Sequence, residues 1–345
     1  MEKELSLKQL MTENVSHETK YIYSYPNGKV DMGKRITITM NKPECEILLN
    51  PIIVIELDET NNLEFDASNI FNNIELVDGG CRIDKIFTNQ LKIYQAMKGY
   101  EIKKVGSKIF YPLPFDAFNK DEGLIVSKCK SHNITLWIEF TSNPCIASIK
   151  DFYIRTDAIK TKSPPDYVKI SNYYINNSEN KDGYTCLKEY ISKENTQIVK
   201  IKQNQFHGLE ELSTTMSIKR IKLSFNHLVE KFFVYFEDMA NGSIYGLKPF
   251  DKISFIADGN LVIEYDYETL IYENDEKNIG YKLPTGVYQI DWCKFSSKNL
   301  SYVENLTVEL RGITIPNNNI VFCICANSTN YLMYESNKCG TCYSN

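Results

Sequence analysis

A chain of 345 residues is long for one domain and comfortable for two. With 43% apolar and 12% aromatic residues it can bury substantial cores, which excludes a disordered chain. Its net charge of −5, with Lys and Arg scattered among acids, leaves no basic footprint for nucleic acid.

The N-terminal stretch is polar and charged, without the apolar centre of a secretion signal. Residues Leu5 to Met11 read as a short amphipathic arm. The longest apolar runs, Ile52 to Ile55 and Ile320 to Ala326, are strand-length and far from the roughly 20 residues of a membrane-spanning helix. The expectation is a soluble protein made in the cytoplasm.

In chain order, the first alternating run starts at Arg35, with Ile36, Ile38 and Met40 on one face. Gly79-Gly80 follows Asp78 as a turn signal. Lys85 to Met97 places Ile86, Gln90, Leu91, Tyr94 and Met97 at roughly helical spacing. From Asn133, the residues Ile134, Leu136, Ile138 and Phe140 face one way. A second short helical turn is expected at Gly208 to Leu212. Ile221, Leu223 and Phe225 align on one face, and Lys231 to Glu237 is apolar on both, as in a strand covered on each side. Asp258-Gly259-Asn260 lies between two alternating runs and reads as a hairpin. Val303 to Leu310 completes the pattern with Val303, Leu306, Val308 and Leu310. A period of two in so many short runs predicts an all-β chain of sandwiches or barrels. The polar, Pro-containing stretch 161–188 is the expected linker. It leaves an arm at 1–20, one sandwich over 21–160 and a second over 189–345, with no internal sequence repeat.

Candidate chemistry is thin. Cys339-Gly340-Thr341-Cys342 has the spacing of a redox dithiol or half a zinc site. A redox pair usually opens a helix after a strand, however. For zinc only Cys323 and Cys325 are near in sequence, and these are taken to point to opposite faces of a strand. The bland reading is a turn. Cysteines inside apolar runs are expected to be buried free thiols. The histidines, His17, His132, His207 and His227, form no Ser-His-Asp pattern, and neither G-x-S-x-G nor a phosphate-binding glycine loop occurs. The acids around Asp266, Glu268, Glu273, Asp275 and Glu276 read as a solvated loop rim, without the oxygen spacing of a calcium loop. Lys98, Lys103, Lys104 and Lys108 form a weak basic patch. No cofactor, metal or catalytic group is assigned.

Two blocks carry a resemblance. The first contains Gly79-Gly80 with Ile83-Asp84, then Pro112-Leu113-Pro114-Phe115 and Asn119 to Leu124 around Gly123, with Glu122 where a proline is usual. The second contains Phe225-Asn226-His227-Leu228, again lacking a proline, and ends in Asn330-Tyr331-Leu332-Met333, Cys339-Gly340 and Tyr343-Ser344-Asn345. In order and spacing these resemble the double jelly-roll major capsid proteins of nucleocytoplasmic large DNA viruses, in a short form with small inter-strand loops. The resemblance implies two consecutive eight-stranded jelly-roll sandwiches with few short helices. It implies a non-enzymatic virion protein whose homotrimers form pseudo-hexagonal capsomers of an icosahedral shell. Its partners would be itself, neighbouring capsomers and minor capsid proteins, with an inner membrane as a further candidate and no specific nucleic acid. Gly79, Gly80, Asp84, Pro112, Pro114, Gly123, Asn226, Tyr343, Ser344 and Asn345 would be structural determinants. A minor capsid or membrane-shaping scaffold paralogue is the alternative within that fold. A sandwich binding carbohydrate on a host surface is the alternative outside that class; exposed aromatic clusters on one loop face would favour it, and flat apolar edges with threefold contacts would favour the capsomer.

Overall fold

The computed structural model describes residues 17–40, 45–58, 70–119, 123–129, 131–142, 146, 148–161, 197–296, 299–335 and 338–342. The arm at Leu5–Met11, the linker stretch beyond Thr161, Glu122 and the terminal Tyr343, Ser344 and Asn345 lie outside them.

The first ten strands are β1 (His17–Ser24), β2 (Arg35–Thr39), β3 (Ile47–Leu57), β4 (Phe71–Asp78), β5 (Cys81–Phe87), β6 (Lys103–Val105), β7 (Lys108–Pro112), β8 (Leu124–Ile125), β9 (Ile134–Phe140) and β10 (Ile149–Thr161). They form two sheets: β1-β10-β3-β7-β6, with β8 added to β3, and β2-β9-β4-β5. The alternation read in the sequence decides which face is inward. Ile36, Ile38, Ile134, Leu136, Ile138 and Phe140 are all buried. Phe71 brings the sheets together, with its ring 5.2 Å from Tyr111, 5.6 Å from Phe140 and 6.3 Å from Phe152.

The second set is β11 (Gln197–Glu211), β12 (Thr215–Leu223), β13 (Leu228–Asp238), β14 (Ser243–Ile244), β15 (Lys252–Ala257), β16 (Asn260–Asp266), β17 (Val287–Asp291), β18 (Leu306–Thr314) and β19 (Ile320–Glu335). One sheet runs β11-β19-β13-β14, with β17 also on β13; the other runs β12-β18-β15-β16. Phe232, Val234 and Phe236 point into a core with Phe250, Phe255, Trp292 and Phe322. Phe233 and Tyr235, on the other face of β13, are also buried. The helix α1 (Thr88–Met97) explains why: its Tyr94 ring packs 5.9 Å from Phe233, and its hydroxyl donates to the Ala326 carbonyl at 3.1 Å.

Counting the eight main strands of each set in chain order, with β6, β8 and β14 set aside, exposes a repeat that the residues hide. In both sets one sheet has the order first-eighth-third-sixth and the other second-seventh-fourth-fifth. Every pairing with a described register is antiparallel.

The compact units do not follow the chain consecutively. Among the described residues, 88–100 and 202–330 form one unit; the flanking segments and residues 331–342 form the other. The expected division into 21–160 and 189–345 was drawn along the chain, whereas here α1 belongs with the later strands. The C-terminal strand β20 (Lys338–Thr341) belongs with the earlier ones. Its Cys339 N–H donates to Asp78 at 2.7 Å.

Four local expectations change. The helix begins at Thr88 rather than Lys85, because Lys85 to Phe87 pair with β4. Gly208 to Glu211 continue β11 instead of forming a helical turn. Val303 precedes β18, which starts at Leu306. The acidic stretch is two short helices, α2 (Tyr267–Glu273) and α3 (Glu276–Ile279), rather than a loop. Asp266 caps α2 by accepting from Thr269 N–H at 2.7 Å, and Asp275 caps α3 by accepting from Lys277 N–H at 3.0 Å.

Candidate functional site

Of the described residues singled out in the sequence, Asp84 lies within a strand and the glycines, Pro114 and Asn226 lie at turns and sheet crossings. Gly79 and Gly80, at φ +54° and +94°, form the two-residue turn between β4 and β5, where both central residues need positive φ. An added Cβ at Gly79 would also overlap the His132 ring. Asp84 is buried in β5 and accepts from Lys85 N–H at 2.9 Å. Pro112 ends β7 opposite Ile52. Pro114, also buried, leads into a 3₁₀ turn, Asp116–Phe118. Gly123 sits at φ +69° where the chain enters β8, pressed against Ile47, Leu48 and Leu49 of β3.

Asn226 and His227 carry the chain from β12 in one sheet to β13 in the other. The Gln205 side chain bridges the Asn226 backbone, accepting from its N–H at 3.0 Å and donating to its C=O at 2.7 Å. His227 adopts φ +63°, and its N–H donates to Ser301 Oγ at 3.0 Å. Such a left-handed non-glycine residue is held by its surroundings. These contacts are structural; they bring together no nucleophile, base and oxyanion donor.

The thiols behave likewise. Cys339 and Cys129 are buried together, and the Cys129 contact, then burial, hold the Cys339 thiol well above its usual range. Cys342 is only half-buried, so the two ends of the CxxC occupy different surroundings. Cys323 and Cys325 are two residues apart on β19 and therefore share a face, opposite Tyr235 and Phe233, which corrects the expectation that they diverge. Burial pushes the Cys325 thiol up to about 12. Among the described residues no group of three His, Cys, Asp or Glu could hold a metal ion.

His207 accepts at Nδ1 from Ser224 N–H at 3.2 Å, with Nε2 3.4 Å from Glu210. His132 lies beside the Gly79 turn. His17 opens β1. Of the acidic stretch, Glu268 pairs with Lys248 at 3.1 Å and Glu273 with Lys294 at 3.8 Å. Of the basic patch, Lys108 is clasped by Glu56 at 3.2 Å, and the Lys103 and Lys104 side chains project from β6.

What stands out is a surface. On the outward face of the β1-β10-β3-β7 sheet, Tyr21, Tyr23 and Tyr25 are 61%, 43% and 55% exposed. Tyr153 packs against the last two at 5.7 and 5.6 Å, and Arg155 lies 4.9 Å over the Tyr21 ring. Sequence reading missed this row because one residue of each pair comes from the start of the first sandwich and the other from its last strand. The register, Tyr23 opposite Arg155, is what joins them.

No family model and no curated protein sequence matches the chain. Solved structures do. The PBCV-1 virus capsid, in a quasi-atomic model, matches with TM-score 0.72 and 17% identity, over 96% of this chain and 98% of that one. The Faustovirus major capsid protein matches with TM-score 0.65 and 7% identity, over 93% and 91%. The mavirus major capsid protein matches with TM-score 0.55 and 10% identity, over 93% and 89%. These are double jelly-roll proteins, and the strand order found here occurs twice. The chain is a double jelly roll. At such low identity the likeness speaks for the fold.

Proposed function

We propose that this double jelly roll is a structural capsid protein, three copies of which form a pseudo-hexagonal capsomer in an icosahedral virion shell. The observation that carries the reading is the repeated first-eighth-third-sixth and second-seventh-fourth-fifth order. Two equivalent sandwiches per chain give six in a trimer, so a threefold object can occupy a roughly sixfold lattice position. Nearly full-length likeness to three viral capsid chains supports it. Work in such a protein is done by burial and edge complementarity rather than by catalysis. Gly79, Gly80, Pro112, Pro114, Gly123 and Asn226 would shape strand ends, turns and crossings, and Asp84 would act within β5. Neighbouring capsomers and minor capsid proteins would contact the outer rims.

The carbohydrate-binding alternative draws on the exposed tyrosines. The register of β1 on β10 places Tyr21 and Tyr23 on a sheet face, which favours a protein surface. Negative-stain microscopy of the purified protein tests the proposal: it predicts particles of hexagonal outline and, at high concentration, a hexagonal lattice. Featureless single particles that bind a glycan array would overturn it in favour of the binding module.

A further inference from the structure

The chain contains two Asn-Gly steps, Asn27-Gly28 and Asn241-Gly242. Such a step carries its own chemistry. The nitrogen of the following residue can attack the Asn side-chain carbon. Glycine, with no Cβ, shields that nitrogen least and lets the backbone turn into the attacking geometry. Since glycine follows in both cases, the difference between the two steps lies in how the fold holds them.

Asn241-Gly242 is held at each atom the reaction needs. It forms the turn between β13 and β14. Asn241 Oδ1 accepts from Ser243 N–H at 2.9 Å, and its Nδ2 reaches Asp238 Oδ2 at 3.5 Å. The Gly242 N–H, which would be the nucleophile, donates to the Asp238 carbonyl at 2.7 Å. Asn27-Gly28 is the opposite case. Both residues are exposed in the connection between β1 and β2. The Asn27 N–H donates to the Thr37 carbonyl at 2.8 Å, beside the bridge of Pro26 to Ile38. Beyond that anchor, among the described residues neither the Asn27 side chain nor the Gly28 N–H has a hydrogen-bond partner. Gly28 sits at φ +135°, and an added Cβ there meets nothing within 4 Å, so the space beside its backbone is open.

We propose that Asn27 is a site of spontaneous deamidation, with water as the co-reactant. The Gly28 nitrogen attacks Asn27 Cγ. The N–Cγ bond forms, the Cγ–Nδ2 bond breaks, and ammonia leaves with the proton that Gly28 gave up. Water then opens the cyclic imide. Cleavage of the N–Cγ bond leaves aspartate. Cleavage of the bond from that nitrogen to the Asn27 backbone carbonyl carbon leaves isoaspartate, with the chain routed through Cγ. Either product adds a negative charge beside Lys29. Isoaspartate also lengthens the backbone by one methylene next to the Thr37 anchor, so it loosens the connection between β1 and β2.

The test ages the full-length protein in mildly alkaline buffer, natively and in urea, and maps tryptic peptides by mass spectrometry over days. Asn27 falls in the peptide Tyr21–Lys29 and Asn241 in Phe232–Lys252. In the native protein Asn27 should convert while Asn241 stays intact. In urea the two should convert at comparable rates, because the fold no longer distinguishes them. Labelling by an isoaspartate methyltransferase should mark the Tyr21–Lys29 peptide of the native sample. Gly28→Ala should slow the native conversion severalfold, with a melting curve to show that the variant is folded. Comparable native rates at Asn27 and Asn241 would overturn the proposal. So would an Asn27 that stays intact in the native protein while converting in urea.

Discussion

Gly123→Ala isolates close packing from backbone preference. Gly123 has φ +69°, and an added Cβ would overlap Ile47 Cγ2 and lie 2.5 Å from Leu49 Cδ2 and 3.0 Å from the Leu48 carbonyl oxygen. Ile47 and Leu49 are buried, and the carbonyl belongs to β3, so none of the three can give way cheaply. The left-handed backbone costs a non-glycine residue about 1–2 kcal/mol, and overpacking adds about 1–3 kcal/mol. The sum is about 2–5 kcal/mol. Gly106 provides the control: at φ +61° it has a similar backbone, but an added Cβ there meets nothing within 4 Å. Gly106→Ala should therefore carry only the backbone share. At roughly 2–4 °C per kcal/mol for a domain of this size, calorimetry should show Gly123→Ala melting several degrees below Gly106→Ala. Two variants melting within about 1 °C of each other would refute the argument from close approach.

Other outcomes follow from the same geometry. Tyr94→Phe removes the hydroxyl that donates to Ala326 and should cost about 0.5–1.5 kcal/mol, read as a shift in the denaturant midpoint. Native alkylation followed by mass mapping should modify exposed Cys81 and Cys293 well before buried Cys129, Cys323, Cys325 and Cys339. The Glu309 side chain is 1% exposed and held by Arg220 and Arg311, chiefly the Arg220 hydrogen bond, so its carboxyl titrates below the usual 4.5. A depressed carboxylate stabilises the fold above the unfolded value and loses that contribution as pH falls through the folded one. Glu309→Gln should therefore lower the melting temperature at pH 7 and narrow the gap to wild type below pH 4. Glu237 is the opposite case, its carboxyl raised mainly by burial. Its contribution is full below 4.5 and lost as pH rises through the folded value, so Glu237→Gln should be neutral or stabilising at pH 7.

The all-β class was legible because each half-buried strand alternates: the faces of Ile36 and Ile38, and of Ile134 to Phe140, could be read without coordinates. The hairpin at Asp258-Gly259 was legible because its residues tolerate positive φ, here +50° and +82°. The repeat was not, since it lives in strand order and leaves no shared residue pattern. The exchange of α1 and β20 between units was also hidden, because periodicity reports which face of a helix is apolar but not what covers it. Gly208 to Glu211 was misread because Gly-Leu-Glu-Glu-Leu suits a helical turn, while pairing in the sheet decides the outcome. The aromatic row was out of reach because residues 21–25 and 153–155 meet only through register.

The mass of the purified wild-type protein in solution, by light scattering at near-physiological salt, tests the central claim most directly. The account predicts a stable species of three times the 39.9 kDa chain mass. A clean monomer that persists as concentration rises would contradict it.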